Sequence, residues 1–182
     1  MQALVVYESM FGNSETIARA VVDGLTPYLP ATAVEVATAP TVLDDSIGLL
    51  VVGGPTHAFS MSRPGTRRSA AEQSAVGVIS TGIGIREWLG RTQVLTTGLS
   101  AAAFDTRVSG ANGRPKVPGS AAHSAARKLR GRSLRMITAP TSFYVCDTTG
   151  PLRDGEVERA RAWAGSLGAQ LRRATDGTPA PG

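Results

Sequence analysis

The 182-residue chain can build one core without a staple, since a domain of this size buries roughly 70% of the surface its unfolded chain exposes. Its hydrophobic fraction of 42% is ordinary for a globular protein and no apolar run approaches the roughly 20 residues of a bilayer span; one cysteine, Cys146, excludes an internal disulfide, and two isolated histidines, His57 and His123, argue against a structural metal. The net charge of +5 is unevenly spread: residues 1–62 carry one basic and six acidic side chains, residues 63–182 carry 18 and 8, and Arg107–Arg135 holds eight basic residues and no acidic one.

That basic stretch reads either as a solvated face or as a docking surface for an acidic partner. Nucleic acid is not expected as a partner, because no aromatics suited to base stacking interleave with the charges. The N-terminal residues lack the basic start and small-residue cleavage site of a secretory signal, so the cytoplasm is the expected location.

In chain order, Ala3–Tyr7 is a short apolar run, as expected of a strand covered on both faces. A helix follows from about Ser14, with Ile17, Ala18, Val21, Val22 and Leu25 at helical spacing and Pro27 and Pro30 marking its end. Ala33–Ala37 is a second strand, and Ile47–Val52 is a third, which Gly53-Gly54-Pro55 is expected to break. Further on, Ile85–Leu89 reads as helix, Ala101–Phe104 as a central strand, Ser109–Gly119 as a flexible loop and Ser120–Leu129 as helix. Leu134–Ala139 and Ser142–Val145 read as one strand interrupted at Pro140. A last helix runs from about Asp154 to Arg173; the domain is placed at 1–174 and a frayed tail at 175–182. Strands alternating with helices predict a parallel sheet with crossover helices.

A strand ending at Tyr7 and a helix starting near Ser14 leave a tight loop whose amides leave the carboxyl edge of the sheet. Unpaired N–H groups at a helix start, with the positive end of its dipole, attract an anion without any cationic side chain. Ser9, Asn13 and Ser14 add side-chain donors, and Gly12 allows close backbone approach. An ordinary capped helix start would show the same features, and neither a Walker loop nor a G-x-G-x-x-G pattern is present.

The run Val5-Val6-Tyr7-Glu8-Ser9-Met10-Phe11-Gly12-Asn13-Ser14, with Ala18 and Val21 behind it, resembles the flavodoxin signature. It departs at Ser14, where that family usually has Thr, and at Phe11, where a hydroxyl residue often sits. The resemblance implies a doubly wound α/β fold, a five-stranded parallel sheet with helices on both faces. It also implies flavin mononucleotide (FMN) as cofactor, its phosphate held by the loop Ser9, Met10, Phe11, Gly12, Asn13 and Ser14.

Two further loops should converge on the same edge. The segment Gly54–Arg63 resembles the flavodoxin loop along the ribityl chain and one ring face, implying contacts from Pro55, Thr56, His57 and Phe59, with Ser60 and Met61 as further candidates. His57 reads equally as a loop imidazole bonded to backbone, and Phe59 and Met61 as side chains buried under the loop. In Phe104–Gly110 the family's stacking Tyr is absent; Phe104 is the nearby aromatic, Thr106 and Arg107 are candidate pyrimidine contacts, and Asp105 either joins them, caps the loop or pairs with Arg107. Cys146 is expected to be a buried thiol, and Trp88 and Trp163 to be packing residues. Three functions fit: an electron carrier with a redox partner protein, acidic if the basic stretch faces it; a flavodoxin-fold oxidoreductase of the quinone-reductase or protoporphyrinogen-oxidase type; or a related module that has lost flavin. A monomer or weak dimer, with no membrane partner, is the matching expectation.

Overall fold

The computed structural model describes residues 1–73, 77–110, 115 and 118–175. Its elements run β1 (Gln2–Tyr7), α1 (Asn13–Leu25), β2 (Ala31–Glu35), β3 (Val42–Leu43), β4 (Ile47–Pro55), α2 (Pro64–Glu72), α3 (Ile85–Arg91), β5 (Gln93–Val94), β6 (Ser100–Val108), α4 (Ala121–Arg130), β7 (Arg135–Met136), β8 (Thr141–Val145) and α5 (Glu156–Thr175). The main sheet is parallel, in the order β2-β1-β4-β6-β7, and β8 also pairs with β6. Because β7 pairs with the start of β6 and β8 with its end, six strands occupy five positions, with the interruption expected around Pro140. β3 and β5 form a separate two-stranded pair.

Why these segments become central strands is plain from their burial. Val5, Val6, Val51, Val52, Ala102 and Ala103 are fully enclosed, so each strand needs apolar residues on both faces. One face packs against α1 and α5 through Ile17, Val21, Leu25, Ala160, Ala164 and Leu167; the other packs against α3 and α4 through Trp88, Leu89, Ala122, Ala126 and Leu129. Trp163 packs against the first of these clusters, edge-on to Phe104 and Phe143.

Two strands overrun their expected ends. β4 continues through Gly53, Gly54 and Pro55, which pair with Phe104, Asp105 and Thr106, so the glycines do not break it and residues 104–108 are strand rather than loop. The reason is lateral: buried between β1 and β6, the β4 backbone groups find partners only in the ladder. Gly53 is required there because a Cβ on it would fall inside the Phe104 ring. Gly53→Ala should therefore destabilise the fold by about 1–3 kcal/mol in urea unfolding, and an unchanged midpoint would show that Phe104 moves aside freely. α2 and the β3–β5 pair were not foreseen, since Ala70 alone is buried on α2 and two-residue strands carry no period. α5 extends one residue past the expected domain limit, and residues 176–182 lie outside the described residues, as do most of the expected Ser109–Gly119 loop. No helix among the described residues is long and apolar enough to cross a membrane.

Candidate functional site

The chain leaves β1 at Tyr7 and turns through the loop 8–12 into α1 at the point where connections diverge, α1 leading to β2 on one side of β1 and β4 lying on the other. Such switch points create a crevice at the carboxyl edge of an open sheet. Gly12 is the residue before α1 and has φ 87°, a left-handed conformation natural to glycine. The Ser9 hydroxyl oxygen accepts from the Gly12 amide at 3.1 Å and the Glu15 amide at 3.3 Å, tightening the loop while leaving its own O–H to donate outward. The amides of Met10, Phe11, Asn13 and Ser14 donate to no group among the described residues. Behind the loop, Ile79 N donates to Met10 O at 3.0 Å, Ser80 N to Ser9 O at 2.8 Å and Ser9 N to the Ser80 hydroxyl at 2.9 Å. The Ser80 hydroxyl in turn donates to Glu35 at 2.6 Å, so a segment with no recognisable motif fixes the loop's shape.

A cleft of about 570 Å³ opens over these donors, within the roughly 300–1,000 Å³ of small-molecule sites. Ser9, Met10, Phe11, Asn13, Ser14, Pro55, Thr56, His57, Thr106 and Arg107 all line it, so three segments far apart in sequence meet there. Ser14 and Thr106 join across it, their hydroxyl oxygens 2.7 Å apart; one proton lies between them and the other is left to donate. Asn13 Nδ2 donates to Thr149 O at 3.0 Å, which brings the 146–151 turn to the rim and places Thr148 in the lining.

Other expected contacts are displaced. Phe104 is buried and edge-on to Phe143 and Trp163 in the core, with ring centroids 6.0 and 6.4 Å away, so it does not face the cleft. Strand alternation is the cause: once residues 104–108 join β6, Phe104 points toward α5. Met61 is likewise core, whereas Phe59 is 55% exposed and outside the lining. It sits at the tip of a tight turn in which His57 and Ser60 exchange backbone hydrogen bonds of 2.8 and 3.0 Å, and both central residues, Ala58 and Phe59, have positive φ. Asp105 is fully buried and caps the start of α4 rather than its own loop: Oδ2 accepts from Thr56 Oγ1 at 2.8 Å, Ser120 Oγ at 2.6 Å and Ala122 N at 3.1 Å. Thr56 Oγ1 also accepts from Ala121 N at 2.9 Å, so its proton is committed to Asp105 and it faces the cleft as an acceptor. Ser60 is spent on Ser124 and Arg86. Cys146 is exposed rather than buried, being one residue past the end of β8.

α2 supplies the wall that sequence did not reveal: Arg63, Gly65, Thr66, Ser69, Ala70 and Gln73 line the cleft from its face. Pro64 opens the helix, and Thr66 Oγ1 accepts from Arg63 N at 2.9 Å. Arg67 ties α2 to α3 through Glu87 Oε2 at 3.1 Å and back to the loop before α2 through Ser62 Oγ at 2.9 Å. A polar helix with one buried side chain has no apolar stripe to read, though Pro64 is a legible start signal.

Two titrating groups are shifted, His57 in the cleft lining and Glu8 at the start of α3. Burial, with Arg67 nearby, holds His57 below its ordinary range, so its imidazole is neutral at pH 7. Burial pushes the Glu8 carboxyl above its ordinary range against the opposing pull of Ser62, the Ile85 amide and Arg67; its Oε1 has no hydrogen-bond partner. The folded state thus binds the Glu8 proton more tightly than the unfolded chain, and stability is lost as pH rises from the ordinary 4.5 through the raised value. Glu8→Gln should flatten that decline in urea unfolding measured across it, and a variant that keeps the parent slope would place its origin elsewhere.

Comparisons with solved structures agree with the topology. A flavodoxin from the domain Archaea matches with TM-score 0.64 and 16% identity over 94% of this chain and 99% of that one. The flavodoxin of Streptococcus pneumoniae TIGR4 matches with TM-score 0.59 and 15% identity over 93% and 99%. The Flv1 flavodiiron core from Synechocystis sp. PCC6803 matches with TM-score 0.61 and 14% identity over 96% of this chain and 36% of that one, so the chain spans about a third of that protein. No protein-family model matches the chain, and no curated protein does. The chain has a flavodoxin-like fold.

Proposed function

We propose that this protein binds FMN in the cleft and serves as an electron carrier in the cytoplasm, exchanging electrons with a redox partner protein. The observation that carries the reading is the set of four amides at Met10, Phe11, Asn13 and Ser14 with no described acceptor, at the start of α1 and at the switch point of the sheet. That donor set fits a phosphate: it is anion-seeking, carries no fixed charge, and is supplemented by the Ser9 hydroxyl. Bound there, FMN would supply one- or two-electron chemistry that no side chain of the chain can perform.

What the chain's own residues do follows from their placement. The Ser9–Ser14 loop would hold the phosphate, Ser14 and Thr106 would orient the ribityl hydroxyls beside it, and Thr56 would accept from one of them. His57, neutral, can donate to or accept from a ring heteroatom without adding charge. Arg107 in the lining would favour an anionic ring. Isothermal titration should show FMN binding at least about tenfold tighter than riboflavin, since each hydrogen bond to a charged group contributes roughly 1.5–3 kcal/mol. Equal affinities would remove the phosphate from the loop.

The polar face of α2 favours a second reading, an oxidoreductase with its own small substrate, because a carrier has no use for Arg63, Thr66, Ser69 and Gln73 facing the cleft. Steady-state turnover of a quinone with a nicotinamide donor would distinguish it.

A further inference from the structure

Five of the eight cations in the basic stretch of the sequence are not where a redox partner would need them. α4 starts beside the cleft, where Ser120 and Ala122 bind Asp105, and runs antiparallel to β6, so its last turn lies at the opposite, amino edge of the sheet. Arg127, Lys128 and Arg130 stand exposed there; Arg132 donates to Thr92 O and Arg135 to Ser100 Oγ, both at 2.9 Å, and Arg91 ends α3 on the same edge. The nine residues of β6 separate this edge from the cleft, about 30 Å at roughly 3.3 Å per residue.

None of these six cations makes an ion pair among the described residues; the pairs found there are Arg19–Glu15, Arg67–Glu87, Arg159–Glu156 and Arg161–Asp23. Three of the six suit the negative end of the α4 dipole, which accounts for their helix but not for Arg91, Arg132 and Arg135 gathering beside it. We propose that this edge docks an acidic protein partner that does not exchange electrons with the cleft directly, and so can bind while the cleft is engaged. Five of the six are arginines, whose planar forks match carboxylates in two-point contacts. Asp44 and Asp45, exposed in the turn into β4 on the same edge, interrupt the positive field; a continuous polyanion such as a duplex or an anionic bilayer meets repulsion there, whereas discrete carboxylates can avoid it. Tyr28 stands at this amino edge too, but against Gly168 of α5, on the face of the sheet opposite α4, and among the described residues no large exposed aromatic stands beside the six cations to stack bases.

The test uses the full chain and a fluorescent oligo-glutamate peptide followed by anisotropy, with a DNA duplex and phosphatidylserine vesicles as competing ligands. The peptide should bind at about 0.1 M salt and be released at about 1 M, where the Debye length falls from about 10 Å to about 3 Å. The variant Arg127→Gln/Lys128→Gln/Arg130→Gln should bind it about tenfold more weakly, as three exposed ion pairs predict, with its melting curve and FMN titration unchanged. Parent and variant binding alike, no peptide binding, or tighter binding of duplex or vesicles would each overturn the proposal. The FMN titration reads the cleft separately, so failure of this edge and failure of the cofactor reading are distinguishable.

Discussion

Asp105→Ala is expected to lower stability by about 3–5 kcal/mol and to weaken cofactor binding more than any change in the cleft lining itself. One buried oxygen of Asp105 receives Thr56 Oγ1, Ser120 Oγ and the Ala122 amide, so it ties the end of β4 and the start of α4 to β6. Hydrogen bonds to a charged acceptor contribute roughly 1.5–3 kcal/mol each, and their loss leaves three donors buried and unmatched. The other oxygen, Oδ1, has no hydrogen-bond partner among the described residues, so the side chain's ties to β4 and α4 all run through Oδ2. Asp105→Asn keeps an acceptor in place and should cost about 1–2 kcal/mol. Urea unfolding decides the matter: an alanine variant within 1 kcal/mol, roughly, of the parent would mean that solvent replaces the carboxylate at no loss.

These contacts explain how much could be read before the structure. The loop between β1 and α1 was legible because its signal is local: a buried strand, a short loop with glycine and hydroxyl residues, and a helix, all within Leu4–Val21. The sheet was legible because Val5, Val6, Val51, Val52 and the alanines of β6 form apolar runs that only a doubly covered strand would carry. Phe104 was misplaced because the end of β6 depends on its pairing with Gly53, Gly54 and Pro55, a tertiary fact that the glycines disguised as a break. α2 was missed because a helix that buries only Ala70 and serves as a cleft wall needs no amphipathic stripe. Asp105 was seen as a candidate, yet its partners at Thr56 and Ser120 come from two other elements. The basic stretch reads as a solvated face or a docking surface; Arg127, Lys128 and Arg130 on α4, with Arg132 and Arg135 after it, put five of its eight cations at the far edge.

Gly12→Val should lower FMN affinity by up to about 100-fold while leaving riboflavin affinity within a few-fold of the parent. The reason is conformation rather than volume: a Cβ on Gly12 would meet Ile79 Cδ1 at an acceptable 3.6 Å, but φ of 87° is one that a β-branched residue avoids at a cost of roughly 1–3 kcal/mol. To relieve it the loop must rotate, and rotation reorients the Asn13 and Ser14 amides that follow and breaks the hydrogen bond from the Gly12 amide to Ser9 Oγ. Gly12→Asn separates the two explanations, since asparagine tolerates the left-handed region; it should retain most of the FMN affinity despite its larger side chain. Both variants are read by titration against FMN and riboflavin, with melting curves to show that the fold persists. An asparagine variant as weak as the valine one would mean that side-chain bulk is what the loop excludes. Equal losses for both ligands would mean that Gly12 shapes the cleft as a whole rather than the phosphate cradle.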